Sequence, residues 1–279
     1  MTDPILRVKN LVVRFGSGRH DTKTVINDVS LDLFPGETLS LVGESGSGKT
    51  TIGRAILGLA PVSEGTIEFR GQTISNLPRN QRRRTAKAIQ VVFQDPYSSL
   101  NPSMTVEDIL VEPLKSAGVA GGRQRIRELL DAVGLPADSG ARYPKEFSGG
   151  QRQRIAIARA LALEPSVIIC DEPTSALDVT TQARVLTLLR ELQERTGVAY
   201  LFISHDLGVV NAISDRIAVL YQGQIVELGD AAQVAHHPRH DYTHRLQISA
   251  PVADPKIQRE RRTERLRLYA QEPAASVTS

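Results

Sequence analysis

The chain has 279 residues, 41% hydrophobic and 23% charged, a composition ordinary for a soluble globular protein and unlike collagen or a disordered tract. With 34 Lys and Arg against 31 Asp and Glu, the net charge is +3, too mild to name a polyanionic partner. Aromatics at 4% without Trp argue against a stacking platform for nucleic acid, and one cysteine, Cys170, excludes an internal disulfide or a multi-cysteine metal site.

No apolar run approaches the roughly 18 residues a membrane span needs. The start, Met1 to Pro4, has no basic stretch followed by an apolar one, so no signal peptide is expected. Ile5 to Phe15 is rich in Val, Leu and Ile and reads as a strand, followed by a polar loop from Gly16 to Lys23. Val25 to Leu33 alternates, with Val29, Leu31 and Leu33 against Ser30 and Asp32, and predicts a half-exposed strand. Pro35-Gly36 marks a turn, and Thr38 to Val42 is a short buried strand entering a glycine-rich loop. From Thr50 the period becomes helical, with Ile52, Ala55, Ile56 and Leu59 on one face.

Ile67 to Ile74 reads as a hairpin, Arg79 to Lys87 as a basic run on a solvated face, and Ile89 to Phe93 as a strand. Residues 100–165 are mostly helical by pattern, punctuated by Pro102, Pro113, Gly118, Pro136 and Pro144. Val167 to Cys170 and Ala199 to Ile203 are apolar runs buried on both faces, separated by an amphipathic helix carrying Val185, Leu188, Leu189 and Leu192. Ile217 to Leu220 and Gln224 to Leu228 form a hairpin around Gln222-Gly223, and the last residues are polar and basic. Strands alternating with helices imply an α/β fold with a mostly parallel sheet. The early hairpins add an antiparallel β layer, and the helical stretch is an insertion.

Three motifs carry chemistry. Gly43-Glu44-Ser45-Gly46-Ser47-Gly48-Lys49-Thr50 matches G-x-x-x-x-G-K-S/T between a strand and a helix that continues into Thr51. Its glycines let backbone N–H groups surround phosphate oxygens, aided by the helix dipole. Lys49 would neutralise the β- and γ-phosphates, and the Thr50 hydroxyl would bind Mg²⁺. The strand Val167 to Cys170 ends in Asp171-Glu172. Asp171 would hold Mg²⁺ and Glu172 would act as general base on the attacking water. Ser148-Gly149-Gly150-Gln151 opens a helix and makes a second donor-rich anion site.

With its S-G-G-Q signature, the chain resembles the ATP-binding cassette family over roughly residues 5–245. The remaining motifs agree. Gln94 matches the Q-loop, where it would reach Mg²⁺ and the water; Ser175 to Asp178 match the D-loop; His205 matches the switch histidine on the γ-phosphate. Phe15 stands where the family stacks an aromatic on adenine, although its parity with Leu11 and Val13 fits a core position as well.

The resemblance implies a P-loop NTPase (RecA-like) core over residues 1–245 with a helical subdomain inserted near 95–165, then a C-terminal extension over 246–279. It also implies ATP and Mg²⁺ as cofactors. The dimer would be head-to-tail, each ATP lying between the phosphate loop of one subunit and the Ser148 segment of the other. The second cassette would be an identical or homologous chain.

Asp95 to Pro102, and His237-Pro238-Arg239-His240-Asp241-Tyr242-Thr243 in the tail, are similar to the oligopeptide/dipeptide importer subfamily, whose relatives also carry nickel and glutathione. Some members have a C-terminal cysteine cluster that this chain lacks. That branch implies integral-membrane permease partners, an external solute-binding protein acting indirectly, no nucleic acid, and a peripheral place on the cytoplasmic face of the inner membrane. The alternative is a soluble cassette ATPase of translation or cofactor assembly. His236, His237, His240 and His244 crowd the tail; Pro238 interrupts the first pair, so a docking segment suits them better than a metal site.

Overall fold

The computed structural model describes residues 3–16, 22–119 and 122–249. Most of the expected loop after Gly16 and the polar, basic last residues, with a basic run from Arg259 to Arg267, lie outside the described residues.

The chain opens with β1 (Leu6–Phe15), β2 (Lys23–Leu33) and β3 (Thr38–Val42), then α1 (Lys49–Leu57), β4 (Glu64–Phe69) and β5 (Gln72–Thr73). Next come α2 (Arg79–Ala88), β6 (Ile89–Val92), α3 (Pro96–Ser99), α4 (Val106–Ala117), α5 (Arg123–Ala132) and α6 (Gly149–Leu161). The last part holds β7 (Val167–Asp171), α7 (Val179–Thr196), β8 (Ala199–Ser204), α8 (Leu207–Ile213), β9 (Arg216–Tyr221), β10 (Gln224–Asp230), α9 (Ala231–His236) and α10 (Asp241–Ser249).

These elements make two sheets. The antiparallel one runs β2-β1-β4-β5, and the larger one runs β10-β9-β3-β8-β7-β6, parallel except where β10 pairs with β9. The short apolar strands follow from their burial on both faces. In β7, Val167 and Ile169 face the core shared with the antiparallel sheet and α1, whereas Ile168 and Cys170 face the core shared with the helices. In β8, Leu201 and Ile203 take the first side, and Tyr200 and Phe202 the second. Because β3, β8, β7 and β6 are parallel, the loops that leave them emerge at one edge of the sheet.

The helices between β6 and β7 depart from the pattern expected of them at one position. Pro113 does not punctuate it; α4 continues through that position. An interior proline costs about 3 kcal/mol. Ile109, Leu110 and Leu114 are buried in the helical core, at about 1.5–3 kcal/mol each, which outweighs the lost bond. Thr105 caps the start through the Asp108 amide, and Gly118 closes the end in a left-handed turn. Helix α6 packs on α3, α4 and α5 at one side and on β6 and α7 at the other, joining the insertion to the sheet. Helix α10 runs across the expected boundary at residue 245. Among the described residues, no helix is long and apolar enough to cross a membrane.

Candidate active site

The loop between β3 and α1 folds as its sequence predicts. Glu44 to Gly46 form its exposed tip, and Ser47 to Lys49 return into the protein. Gly43 must be glycine: a Cβ there would lie 2.2 Å from the Leu220 carbonyl oxygen. Gly48, with φ 108°, caps α1, whose first residues are Lys49, Thr50 and Thr51. Lys49 is only 5% exposed, and its Nζ donates to the carbonyls of Gly43 (2.7 Å) and Glu44 (2.9 Å). Burial lowers its pKa, opposed by the carboxylates of Glu172, Asp171 and Glu44. The Ser47 hydroxyl is buried without a hydrogen-bond partner among the described residues. A buried orphan oxygen in the same loop as a desolvated ammonium is the environment an oxyanion would complete.

Across the loop stands the end of β7. The Thr50 hydroxyl donates to Asp171 Oδ1 at 2.9 Å. Burial raises the Asp171 pKa, while this bond acts in the opposite sense. Glu172 departs from the strand with φ 48°, a left-handed backbone that costs a non-glycine residue about 1 kcal/mol or more. It is held there by its own N–H to the Ile203 carbonyl (2.9 Å) and by the Ser175 hydroxyl on its carbonyl (3.1 Å). The Glu172 carboxylate is thereby set between two neighbours. Gln94 Nε2, from the loop after β6, donates to one oxygen at 3.1 Å. His205 Nδ1, just past β8, lies 3.2 Å from the other. Gln94 thus uses its N–H on Glu172, leaving its amide oxygen as the acceptor expected to face cation and water.

Lys49, Thr50, Asp171, Glu172, Gln94 and His205 therefore converge. The Ser148 segment is placed elsewhere. Ser148 and Gln151 cap α6 reciprocally, Ser148 Oγ accepting the Gln151 N–H and Gln151 Oε1 accepting the Ser148 N–H. A Cβ on Gly149 would touch Tyr97 and Leu177, and one on Gly150 would fall 2.3 Å from Thr181 Cγ2. The segment packs against the residues following Gln94 and Glu172, with its helix N-terminus as the feature able to receive an anion.

Phe15 is 43% exposed whereas Leu11 and Val13 are buried. The parity argument for a core position fails because the β1–β2 register shifts between Val13 and Arg14, and such a bulge breaks the alternation. The crowded tail histidines form no metal cluster: among the described residues no group of three His, Cys, Asp or Glu converges. His240 instead donates its backbone N–H to Glu227 (3.1 Å) and accepts the Tyr242 N–H at Nδ1 (3.1 Å). One contact escaped sequence reasoning. The Tyr242 hydroxyl accepts the Glu44 backbone N–H at 2.9 Å, 198 residues away. Spacing in a linear chain carries no signal for it.

The family model described as "ABC transporter" matches residues 26–175. The glutathione import ATP-binding protein GsiA of Escherichia coli (strain K12) is 51% identical over 269 residues, covering 93% of this chain and 43% of that protein. Its namesake in Salmonella paratyphi A has the same identity and coverage. The chain thus spans less than half the length of these relatives. Among solved structures, cbiO1 from Clostridium perfringens, part of the ABC transporter complex cbiONQ, superposes with TM-score 0.74 at 26% identity, covering 85% of this chain and 92% of that one. The cassette MJ0796, solved as a dimer in a post-hydrolysis state with ADP and Pi, superposes with TM-score 0.72 at 31% identity, covering 81% and 98%.

Proposed function

This chain belongs to the ABC transporter family, and from that premise we propose that it is an ATP-hydrolysing cassette powering import of peptides or similar small solutes through membrane permeases. The observation that carries the catalytic part is the Glu172 carboxylate, bracketed by Gln94 and His205 and set beside Lys49, Thr50 and Asp171. Glu172 takes a proton from water as the water oxygen bonds to the γ-phosphorus and the bond to the β–γ bridging oxygen breaks, releasing ADP and phosphate. His205 and Gln94 hold the carboxylate in place. The loop Gly43 to Thr51 receives the phosphates, and Lys49 balances their charge. Phe15, exposed at the end of β1, stacks on adenine.

Mg²⁺ fits the oxygen donors Thr50, Asp171 and Gln94, being a hard cation that takes few protein ligands. When bound it supplies charge neutralisation on the β- and γ-phosphates.

Ser148 to Gln151 complete the site in trans. Their placement away from Lys49 within one chain, with a capped helix N-terminus open to an anion, favours a head-to-tail dimer holding ATP between subunits. The named activity of the GsiA relatives, import of the tripeptide glutathione, favours a peptide-like solute. It also favours permease partners, delivery by an external binding protein and a peripheral station on the cytoplasmic membrane face. The test is capture of tagged Glu172→Gln protein with Mg-ATP from detergent-solubilised membranes, with partners identified by mass spectrometry. Multi-span proteins among them support import. Recovery from the soluble fraction alone moves the assignment to a soluble cassette ATPase.

A further inference from the structure

The Gly43–Glu44 peptide is held from both ends. Its carbonyl, Gly43 O, accepts Lys49 Nζ at 2.7 Å, and its N–H, on Glu44, donates to the Tyr242 hydroxyl at 2.9 Å. Tyr242 is 2% exposed and rests on Tyr221, with ring centroids 4.2 Å apart. Tyr221 ends β9 and follows Leu220, whose carbonyl is the surface against which Gly43 packs. The route back along the chain is equally well anchored. Glu227 on β10 accepts the backbone N–H groups of Arg239 (3.0 Å) and His240 (3.1 Å), fixing the chain as it enters α10.

We propose that Tyr242 is a positioning residue of the phosphate loop, its hydroxyl fixing the Gly43–Glu44 peptide plane so that Gly43 O sets the place of the Lys49 ammonium. This rests on the ATPase reading above. The physical need for it lies in Gly43. Without a Cβ, glycine leaves the following peptide free to rotate, and a rotated peptide withdraws Gly43 O from Lys49. An ammonium has three N–H donors; here two are held by Gly43 O and Glu44 O. Fixing those two aims the third before the nucleotide arrives, and preorganisation of this kind raises affinity without adding a contact to the ligand. Tyr242 reaches the loop through the Glu44 N–H, so its effect is exerted through the peptide.

Tyr242→Phe keeps the ring against Tyr221 and removes only the acceptor. In the full chain it should raise the ATP Kd and KM about three- to tenfold, the worth of one hydrogen bond, while kcat at saturating ATP stays within about twofold. The Glu44 amide resonance should move upfield, as for a lost hydrogen bond, and Tyr221→Phe should leave ATP affinity unchanged. If the unsubstituted chain binds ATP and Tyr242→Phe binds it equally well, the role of Tyr242 is overturned while the ATPase reading stands. Weakened ATP binding with an unmoved Glu44 amide also overturns it, because the loss then comes from packing. Failure of the unsubstituted chain to bind ATP overturns the ATPase reading, and this inference with it.

Discussion

Glu172 and His205 stand 3.2 Å apart, carboxylate oxygen to ring nitrogen, at the ends of two adjacent parallel strands. The sheet order β8-β7-β6 explains why Glu172 has partners on both sides. His205 follows the strand on one flank and Gln94 follows the strand on the other. A carboxylate held from two directions has little orientational freedom left to lose.

Glu172→Gln should therefore separate binding from chemistry. The amide keeps the volume and the contact with Gln94 or His205 but takes no proton. Phosphate release should fall by about a hundredfold or more, while ATP binding is retained and an ATP-dependent dimer accumulates in sizing chromatography. Turnover at the unsubstituted rate would remove Glu172 from the role of base.

Lys49→Ala should lower ATP affinity severely, since the loop then lacks its buried cation. Ser148→Asp should leave α6 intact, because Asp caps a helix as well as Ser, yet repel the γ-phosphate and abolish turnover. Mixing the two inactive variants tests the trans arrangement. A head-to-tail pair of one each regains one site built from an intact loop and an intact Ser148 segment. Partial recovery of phosphate release is expected; none at all would argue that each chain completes its own site.

Gly150→Ala should destabilise the fold by about 1–3 kcal/mol through overpacking, since the new Cβ would meet Thr181 Cγ2 at 2.3 Å. Thr181→Ser removes that methyl group. The double variant should recover much of the loss in urea unfolding, and strict additivity of the two effects would show that the clash is relieved some other way.

Burial would raise the pKa of Glu227, but hydrogen bonds from the Arg239 and His240 backbone and from Gln233 outweigh it and hold the carboxyl below its ordinary value. A group with a depressed folded pKa contributes stability above its unfolded value, near about 4.3, and loses it as pH falls through the folded value. Glu227→Gln should be less stable than the unsubstituted chain at neutral pH. The gap in melting temperature should narrow as pH drops below about 4. A gap that stays constant from neutral to acid pH would show that the charge of Glu227 plays no part.

Much of the site was legible because its pieces are local. The loop Gly43 to Thr50, the carboxylates Asp171-Glu172 and the Ser148 cap each combine a backbone need with a chemical one inside a few neighbouring residues. The apolar runs Val167 to Cys170 and Ala199 to Ile203 announced strands buried on both faces, as the two cores confirm. Phe15 and Pro113 are harder to read from the sequence for a different reason. Alternation assumes an unbroken register, which the shift after Val13 interrupts, and proline's helix-breaking tendency yields where enough apolar surface is buried around it.

The sequence by itself determined the local features: which glycine-rich loop joins a strand to a helix, which strand ends in carboxylates, and which helix opens on a capped Ser-Gly-Gly-Gln turn. Those depend on side-chain type and short spacing, which a linear chain displays. Tertiary structure alone decided that Gln94 and His205 flank Glu172, because strand order is a packing outcome. It also decided that Tyr242 meets the Glu44 amide 198 residues away. A contact between distant segments is selected by the summed burial and hydrogen bonding of the whole fold, and no short stretch of sequence contains that sum.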